Sequence, residues 1–470
     1  MSFVAVLATV SMLIGLAGAP QPGLAADFDA EEFFVRTCQG CHNPNPAPRA
    51  HTRAALEAMP PERILKAMVG GGLMGAFAII LSDPERRALA EHLSSRSWSE
   101  AATPVASRFP ACSAGTPLGS AALDGPHWSG WGIDLDNTRF QPAEHAGLSR
   151  EDLGKLELRW ALGFDGSTTV GTQPAVVADR LFVGSPEGKL YGLDAKTGCL
   201  HWQIVTDGPI RGTPTVTRDA EGKGLLVHVG DREGYLYAVD PETGEVLWKV
   251  RVDEHPDAVI TGSPVTYKGR VYAVVASLEE LTAAAPDYEC CTFRGSVVVH
   301  DAFTGELVWK SYIIDEEPKP TRKTEKGVQL RGPSGAGVWG APTIDPARGV
   351  LYVTTGDSYS QPAAPTSDAV VAYDLETGAL KWTKQTTIGD AYTAACLLED
   401  TDPQTLEECG PDIDYGASAI LRKNAAGEAV LLAGQKSGVL HALDPDDGRL
   451  LWKNRLSPGG ILGGIEWGFA

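Results

Sequence analysis

From residue 191 onward the chain repeats one hydrophobic pattern. A short apolar run meets a polar D-x-x-[TD]-G segment, and a second run closes on tryptophan. The copies are YGLDAKTGCLHW to Trp202, YAVDPETGEVLW to Trp248, VVHDAFTGELVW to Trp309, VAYDLETGALKW to Trp382 and HALDPDDGRLLW to Trp452. Such runs predict short strands. In the link between them the Asp side chain caps a turn and the Gly takes a positive φ. Further alternating runs precede each copy, such as RLFVG at 180–184 and RVYAV at 270–274. A third set opens on small residues: GTQPAVV, GTPTV, GSPVTY, GAPTID, GASAI and GGIEWG. The unit is therefore four antiparallel strands, with small residues opening the innermost and Trp closing the outermost. In tandem, that unit is a propeller blade. Most of the closing Trp residues are expected to pack blade on blade. Their spacing grows after Trp248, so later blades carry insertions, where sites are usually built.

The N-terminal part follows another pattern. Phe3 to Ala19 is apolar or small, and Leu24-Ala25-Ala26 precedes Asp27. Residues 1–26 read as a secretory signal cleaved near Ala26, although its start lacks Lys and Arg. A retained membrane anchor is the alternative. No later stretch is long and apolar enough to span a bilayer, so export to a periplasm is expected. Then comes Cys38-Gln39-Gly40-Cys41-His42, a C-x-x-C-H motif. Two thiols at that spacing add to the two vinyl groups of one haem, and the adjacent His42 reaches the iron. Pro60 to Ala67 predicts a helix. Gly70-Gly71-Gly72-Leu73-Met74 follows, then a second helix capped by Ser82 or Asp83, with Pro84 in its first turn, running to Leu93. Met74 is the expected sixth iron ligand, with Met68 and His51 as rivals. Helix, Met-bearing loop and helix resemble class I cytochromes c. The expected organisation is a small all-α cytochrome c domain at 27–98, an Ala-, Pro-, Ser- and Gly-rich linker at 99–125, and an all-β propeller at 126–470.

The length of 470 residues suits at least two units. A formal charge of −20 argues against nucleic-acid binding and suits steering of a basic partner such as a soluble cytochrome c. Eight cysteines agree with an oxidising compartment. Outside the haem motif the expected pairs are Cys112–Cys199, Cys290–Cys291 and Cys396–Cys409. Cys290 and Cys291 could instead be free or paired elsewhere.

The segment Trp131 to Gln141 (WGIDLDNTRFQ), the LGKLELRW run to Trp160 and the D-x-x-T-G-x-x-x-W repeats resemble the PQQ-dependent alcohol dehydrogenases. A cytochrome ahead of YECCTFRGSVVVHDAFTG, GPSGAGVWGAPTID and GQKSGVLHALD is similar, more closely still, to the polyvinyl-alcohol dehydrogenase branch. The resemblance implies an eight-bladed propeller in which Trp160 lies on a strand completing the last blade. The repeats count short of that. The sixth small-residue opening is cut at Ala470, so about five full blades are expected and about two and a half are missing.

The resemblance implies the cofactors PQQ, Ca²⁺ and haem c. It implies oxidation of secondary alcohols, polyvinyl alcohol among them, with electrons leaving through the haem to an external cytochrome. In that reading Trp339 is the flat floor under PQQ and Thr261 a hydroxyl contact. Glu279 and Asp357 are Ca²⁺ ligands, with Glu280 the rival of Glu279. The small-alcohol enzymes usually carry Asn at the position of Asp357. Asp414 is the base, with Asp412 its rival, and Lys436 stands beside the quinone oxygens. Those enzymes place an adjacent cysteine pair elsewhere, so Cys290 and Cys291 receive no catalytic role. The alternatives are a quinohaemoprotein for small alcohols or sugars, and a non-catalytic propeller that docks proteins.

Overall fold

A computed structural model describes residues 28–40, 42–44, 50–68, 74, 78, 81, 83–96, 98, 109–113, 117–164, 170–398, 401–461 and 463–470. The chain divides into two compact units, residues 1–66 with 81–100, and residues 67–80 with 101–470. Among the described residues no helix is long and apolar enough to cross a membrane.

The first unit is helical. Asp29 caps the helix Ala30–Phe33 by accepting from the backbone of Glu31 and Glu32, and a π turn, Phe34–Cys38, continues it. Arg53–Glu57 starts on Thr52, whose hydroxyl accepts from the Ala55 N–H. The two helices expected around Met74 are found at Pro61–Met68 and Asp83–Leu93. Glu31 ties the elements together, meeting Arg53 at 3.1 Å and His92 at 2.6 Å. Cys41 lies outside the described residues. Met74 groups with the second unit, where its N–H donates to the Ala67 carbonyl at 2.8 Å.

Among the described residues the second unit shows five four-stranded antiparallel blades in simple meander order. Blade 1 is 175–177, 180–184, 189–194 and 200–205, with His127–Trp128 added beside its innermost strand. Blade 2 is 215–218, 225–230, 235–239 and 246–251. Blade 3 is 265–267, 270–277, 296–301 and 307–312, and 258–259 also pairs with its second strand. Blade 4 is 343–345, 350–354, 369–374 and 380–385, and blade 5 is 420–423, 429–434, 439–443 and 450–455. The insertions anticipated after Trp248 include a hairpin, Lys319–Lys323 with Gln329–Gly332, between blades 3 and 4. Between blades 4 and 5 lies a loop with the helix Pro403–Glu408, closed by Cys396–Cys409.

The repeat motif explains how the blades join. Asp374 accepts from the N–H groups of Glu376 and Thr377, and Gly378 has φ 71°. A Cβ on Gly378 would lie 2.5 Å from the indole of Trp309 in the preceding blade. Gly244, Gly305 and Gly448 meet Trp202, Trp248 and Trp382 in the same way. Each Trp thus seats on the next blade's turn, and the Trp202 indole N–H also donates to the Pro241 carbonyl at 2.8 Å. Trp452, with no described blade after it, is 47% exposed. Trp160 seats on Gly198 of blade 1, but its segment is not a strand. A strand needs a ladder partner, and among the described residues none flanks it.

Near the axis the small residues are required by backbone contact. A Cβ on Gly212 would lie 2.9 Å from the Gly262 carbonyl oxygen, and one on Gly262 2.9 Å from that of Gly340. The stretch 129–139 laces across several blades: Val216 N–H donates to Ser129, Ile344 N–H to Leu135 and Leu421 N–H to Asp136. All three expected disulfides are formed. Cys112–Cys199 and the buried Leu118 hold the second half of the expected linker onto blades 1 and 2, so it is packed rather than loose.

Candidate active site

In an antiparallel meander the start of the first strand and the end of the second lie at the same edge. Arg211, Thr261, Trp339 and Asp414 precede innermost strands, while Glu280, Asp357 and Lys436 follow second strands. The topology therefore gathers these seven residues at one rim.

Asp357, Asp412 and Asp414 can each offer an oxygen within 4.8 Å of the others, and all three are buried. Lys436 Nζ donates to Asp412 at 2.6 Å and Asp414 at 2.9 Å. The Asp357 N–H donates to Asp414 Oδ1 at 2.8 Å, which fixes one loop on the other. Asp357 Oδ2 is buried without a hydrogen-bond partner, the state expected of a group awaiting a cation or ligand. Burial, then the charges of Asp414 and Glu280, push the Asp357 carboxyl well above the usual carboxylate range. Burial and Asp414 raise Asp412 to about 7. For Lys436, burial favours the neutral amine, but Asp414 and Asp412 outweigh it and hold the ammonium above its ordinary value. Asp368 stands behind Gly356, fully buried with both oxygens unpartnered, and burial with Asp414 and Asp390 raises it to about 10.

The structure separates the two glutamates. Glu279 accepts from Tyr288 Oη at 2.9 Å, Thr292 N–H at 2.8 Å and Phe293 N–H at 2.8 Å, and lies 3.5 Å from His255. Burial raises its carboxyl, but His255 and these backbone donors bring it below its ordinary value. Its oxygens are engaged away from the aspartates. Glu280 instead feels Asp414 and Asp412, and burial with those charges raises it to about 8. The expected ligand Glu279 is thus held by Tyr288, Thr292 and Phe293, while its rival Glu280 feels the charges of the aspartates. The two begin one helical turn, Glu279–Thr282, in which neighbouring side chains diverge.

Trp339 is half-buried, with Gly356 and Gly416 against its indole. Lys436 Nζ lies 5.5 Å from its ring centre. Trp467 meets it edge-on at 5.6 Å, and the Arg211 guanidinium sits 4.2 Å over Trp467 and 5.5 Å over Trp339. Arg211 contacts these rings, and burial lowers it to about 10. Thr261 is buried with its hydroxyl unpartnered. Arg211, Trp467 and Glu466 were not anticipated from the sequence. A signal existed for the first: Arg211 precedes Gly212 as Thr261 precedes Gly262 and Trp339 precedes Gly340.

In the helical unit, His42 is buried and its Nδ1 lies 2.7 Å from the His51 carbonyl. A carbonyl only accepts, so Nδ1 carries the proton and Nε2 is left with the lone pair, as metal ligation needs. His51, a rival axial ligand, thus contacts His42 through its backbone.

A family model for the PQQ glucose/ethanol/alcohol dehydrogenase β-propeller domain matches residues 128–394. The chain is 37% identical over 99% of its length to a polyvinylalcohol dehydrogenase of a Pseudomonas species, spanning 73% of that protein. The chain belongs to the PQQ-dependent alcohol dehydrogenases. A second relative, polyvinylalcohol dehydrogenase of Sphingopyxis sp. (strain 113P3), is 37% identical over 96% of the chain and is itself spanned to 71%. Among solved structures, the quinohemoprotein alcohol dehydrogenase ADHIIG of Pseudomonas putida HK5 has the same fold, with a TM-score of 0.55 at 24% identity. That match covers 75% of this chain and 51% of the solved one. This member of the dehydrogenase family therefore carries its acid cluster, lysine and tryptophan on a propeller of the family's kind.

Proposed function

We propose that the protein oxidises secondary alcohols, vinyl-alcohol polymers among them, using PQQ and a hard cation of the calcium class at the blade rim. Haem c in the N-terminal unit passes electrons to an external cytochrome. The whole protein is an exported, periplasmic enzyme with an eight-bladed ring. The observation that carries this is the convergence of Asp357, Asp412, Asp414 and Lys436 beside the half-buried Trp339. The polymer substrate is favoured because both relatives at 37% identity are named for it.

The residues present suit these groups. Trp339 offers an indole face to a planar ring system, Arg211 offers a guanidinium beside it, and Thr261 an unpartnered hydroxyl to its anionic groups. Glu280, Asp357 and Asp414 offer the oxygens a hard cation takes. When bound, PQQ supplies an ortho-quinone that accepts a hydride equivalent from the alcohol carbon. Asp414 takes the hydroxyl proton onto a carboxylate oxygen as the carbon–hydrogen bond breaks. Lys436 donates to Asp414 and toward negative charge growing above Trp339. Asp412 fixes the ammonium from the other side. Cys38, Cys41 and His42 Nε2 would attach and ligate the haem in the helical unit.

The test is reconstitution of a full-length form with PQQ and Ca²⁺, followed by addition of polyvinyl alcohol or small alcohols while haem reduction is recorded. Polymer and secondary alcohols should reduce the haem, and Asp414→Asn should bind PQQ without reducing it. Reduction by small primary alcohols alone would refute the polymer substrate, and wild-type rates in Asp414→Asn would remove it as the base. A docking propeller would retain no quinone absorbance after gel filtration.

A further inference from the structure

We infer that a depression between blades 2 and 3 is a distal subsite for the hydroxyl-bearing repeats of a polymeric alcohol; this rests on the reading of the rim as an alcohol-oxidising site. The depression has a volume of about 230 Å³. Asp253 and His255, after the outermost strand of blade 2, form one wall. Thr292 to Arg294, before the third strand of blade 3, form a second, and Tyr312, which ends that blade's outermost strand, begins a third with Glu317 beyond it. In a meander these strand ends share an edge with Trp339 and Asp357, so the depression opens on the face that carries the acid cluster. Backbone pairing gives the distance between them. Gly335 N–H donates to the Phe293 carbonyl at 2.8 Å, and Ala336 N–H to the Asp357 carbonyl at 2.6 Å. The segment at Phe293 and Arg294 thus stands two pairing steps from that at Asp357, about 10 Å at the usual inter-strand spacing. An extended carbon chain covers that in about four vinyl-alcohol repeats.

The lining suits a neutral chain of hydroxyls. Arg294 lies 3.9 Å over the Tyr312 ring, and its Nη1 donates to the Ile314 and Asp315 carbonyls at 3.2 and 2.8 Å. Its other guanidinium nitrogens, the Tyr312 hydroxyl and the Glu317 carboxylate make no hydrogen bond among the described residues. Asp253, by contrast, is engaged by Lys310 at 2.5 Å, and His255 Nε2 lies 3.1 Å from Thr292 Oγ1, so these two hold the wall. Free donors facing a free acceptor, beside the apolar surfaces of Phe293 and Pro318, match a chain whose hydroxyls both donate and accept and whose carbons are apolar. Arg294 and Lys310 balance Asp253 and Glu317, so the depression favours neither an anion nor a cation. At about 30 Å³ per water-sized group it takes about seven non-hydrogen atoms, or about two repeats. A small alcohol at Asp414 leaves the depression empty, whereas a long chain reaches both.

The experiment uses the full-length protein reconstituted with PQQ and Ca²⁺, vinyl-alcohol oligomers of increasing length, and 2-butanol as the small secondary alcohol, with haem reduction as the readout. KM should fall about tenfold once oligomers exceed about six repeats, the four that span the gap and the two the depression holds, while kcat stays level. Tyr312→Ala removes the ring beneath Arg294 and should raise the ratio of long-oligomer KM to 2-butanol KM about tenfold. Glu317→Ala should raise it about threefold, and it decides the matter if Tyr312→Ala does not fold, because Glu317 makes no bond among the described residues. No length dependence in the wild type, or one that survives in both variants, overturns the inference. Calorimetry without PQQ separates the two readings: long oligomers should still bind the wild type, and bind Tyr312→Ala about tenfold more weakly. Such binding with no alcohol oxidised by the reconstituted protein refutes the alcohol-oxidising reading of the rim alone. Polymer oxidation with oligomer binding indifferent to Tyr312 and Glu317 refutes the subsite alone.

Discussion

Gly416→Ala isolates the floor of the site. A Cβ at 416 would lie 2.3 Å from the edge of the Trp339 indole and 2.6 Å from the Glu466 carbonyl oxygen. Relaxed contacts sit near 3.5–4.0 Å, so the indole has to retreat by about 1 Å or the Glu466 backbone has to move. Overpacking of this kind costs about 1–3 kcal/mol, and a 1 Å displacement of a positioning group costs about a hundredfold in rate. The variant should therefore unfold at lower urea concentration and bind PQQ weakly, read as quenching of tryptophan fluorescence. Gly154→Ala is the control, because its added methyl meets nothing within 4 Å. A Gly416→Ala protein with wild-type stability and PQQ affinity would show that Trp339 is not wedged as described, and the floor assignment would fall with it.

The glutamates should part company on substitution. Glu279→Gln loses the ionised acceptor for Thr292, Phe293 and Tyr288 and should destabilise by about 1–3 kcal/mol in urea unfolding. Glu280→Gln should leave stability at pH 8 unchanged or higher but weaken cation binding at least tenfold by calorimetry, about one lost ligand; the opposite pattern would restore Glu279 as the ligand. With chelator present, stability should fall as pH rises from 5 to 8. Glu280 and Asp412 are raised to about 8 and about 7, so their stabilising protonated forms are complete below the ordinary carboxylate range and lost on rising through those values. Cation affinity should climb over the same interval and level above about pH 8; a flat profile by urea titration contradicts both. Lys436→Met strips the ammonium from Asp412 and Asp414 and should cost the metal-free protein about 3–5 kcal/mol, partly restored by added cation.

What could be read from the sequence was what neighbouring residues determine. The D-x-x-[TD]-G turn, the closing Trp and the small opening residues are local signals, and they located five blades and the rim. The cysteine pairs agreed as well. The choice between Glu279 and Glu280 stayed open because a one-residue shift into a helical turn redirects the side chain, and nothing in the sequence sets where the strand before it ends. Arg211 and Trp467 were missed because their meaning depends on contacting each other and Trp339 across distant blades. Trp160 was expected on a strand, yet its ladder partner is not among the described residues.

The stretch at 129–139 also imposes an order of events. Asp136 accepts its bond from Leu421, so a chain emerging at ordinary synthesis rates, about ten residues per second, makes the earlier residue wait about half a minute for the later. Until then the stretch is tied to blades 2 and 4 through Val216 and Ile344 but not yet to blade 5. The stretch therefore closes onto the blades in steps, its last tie waiting for blade 5.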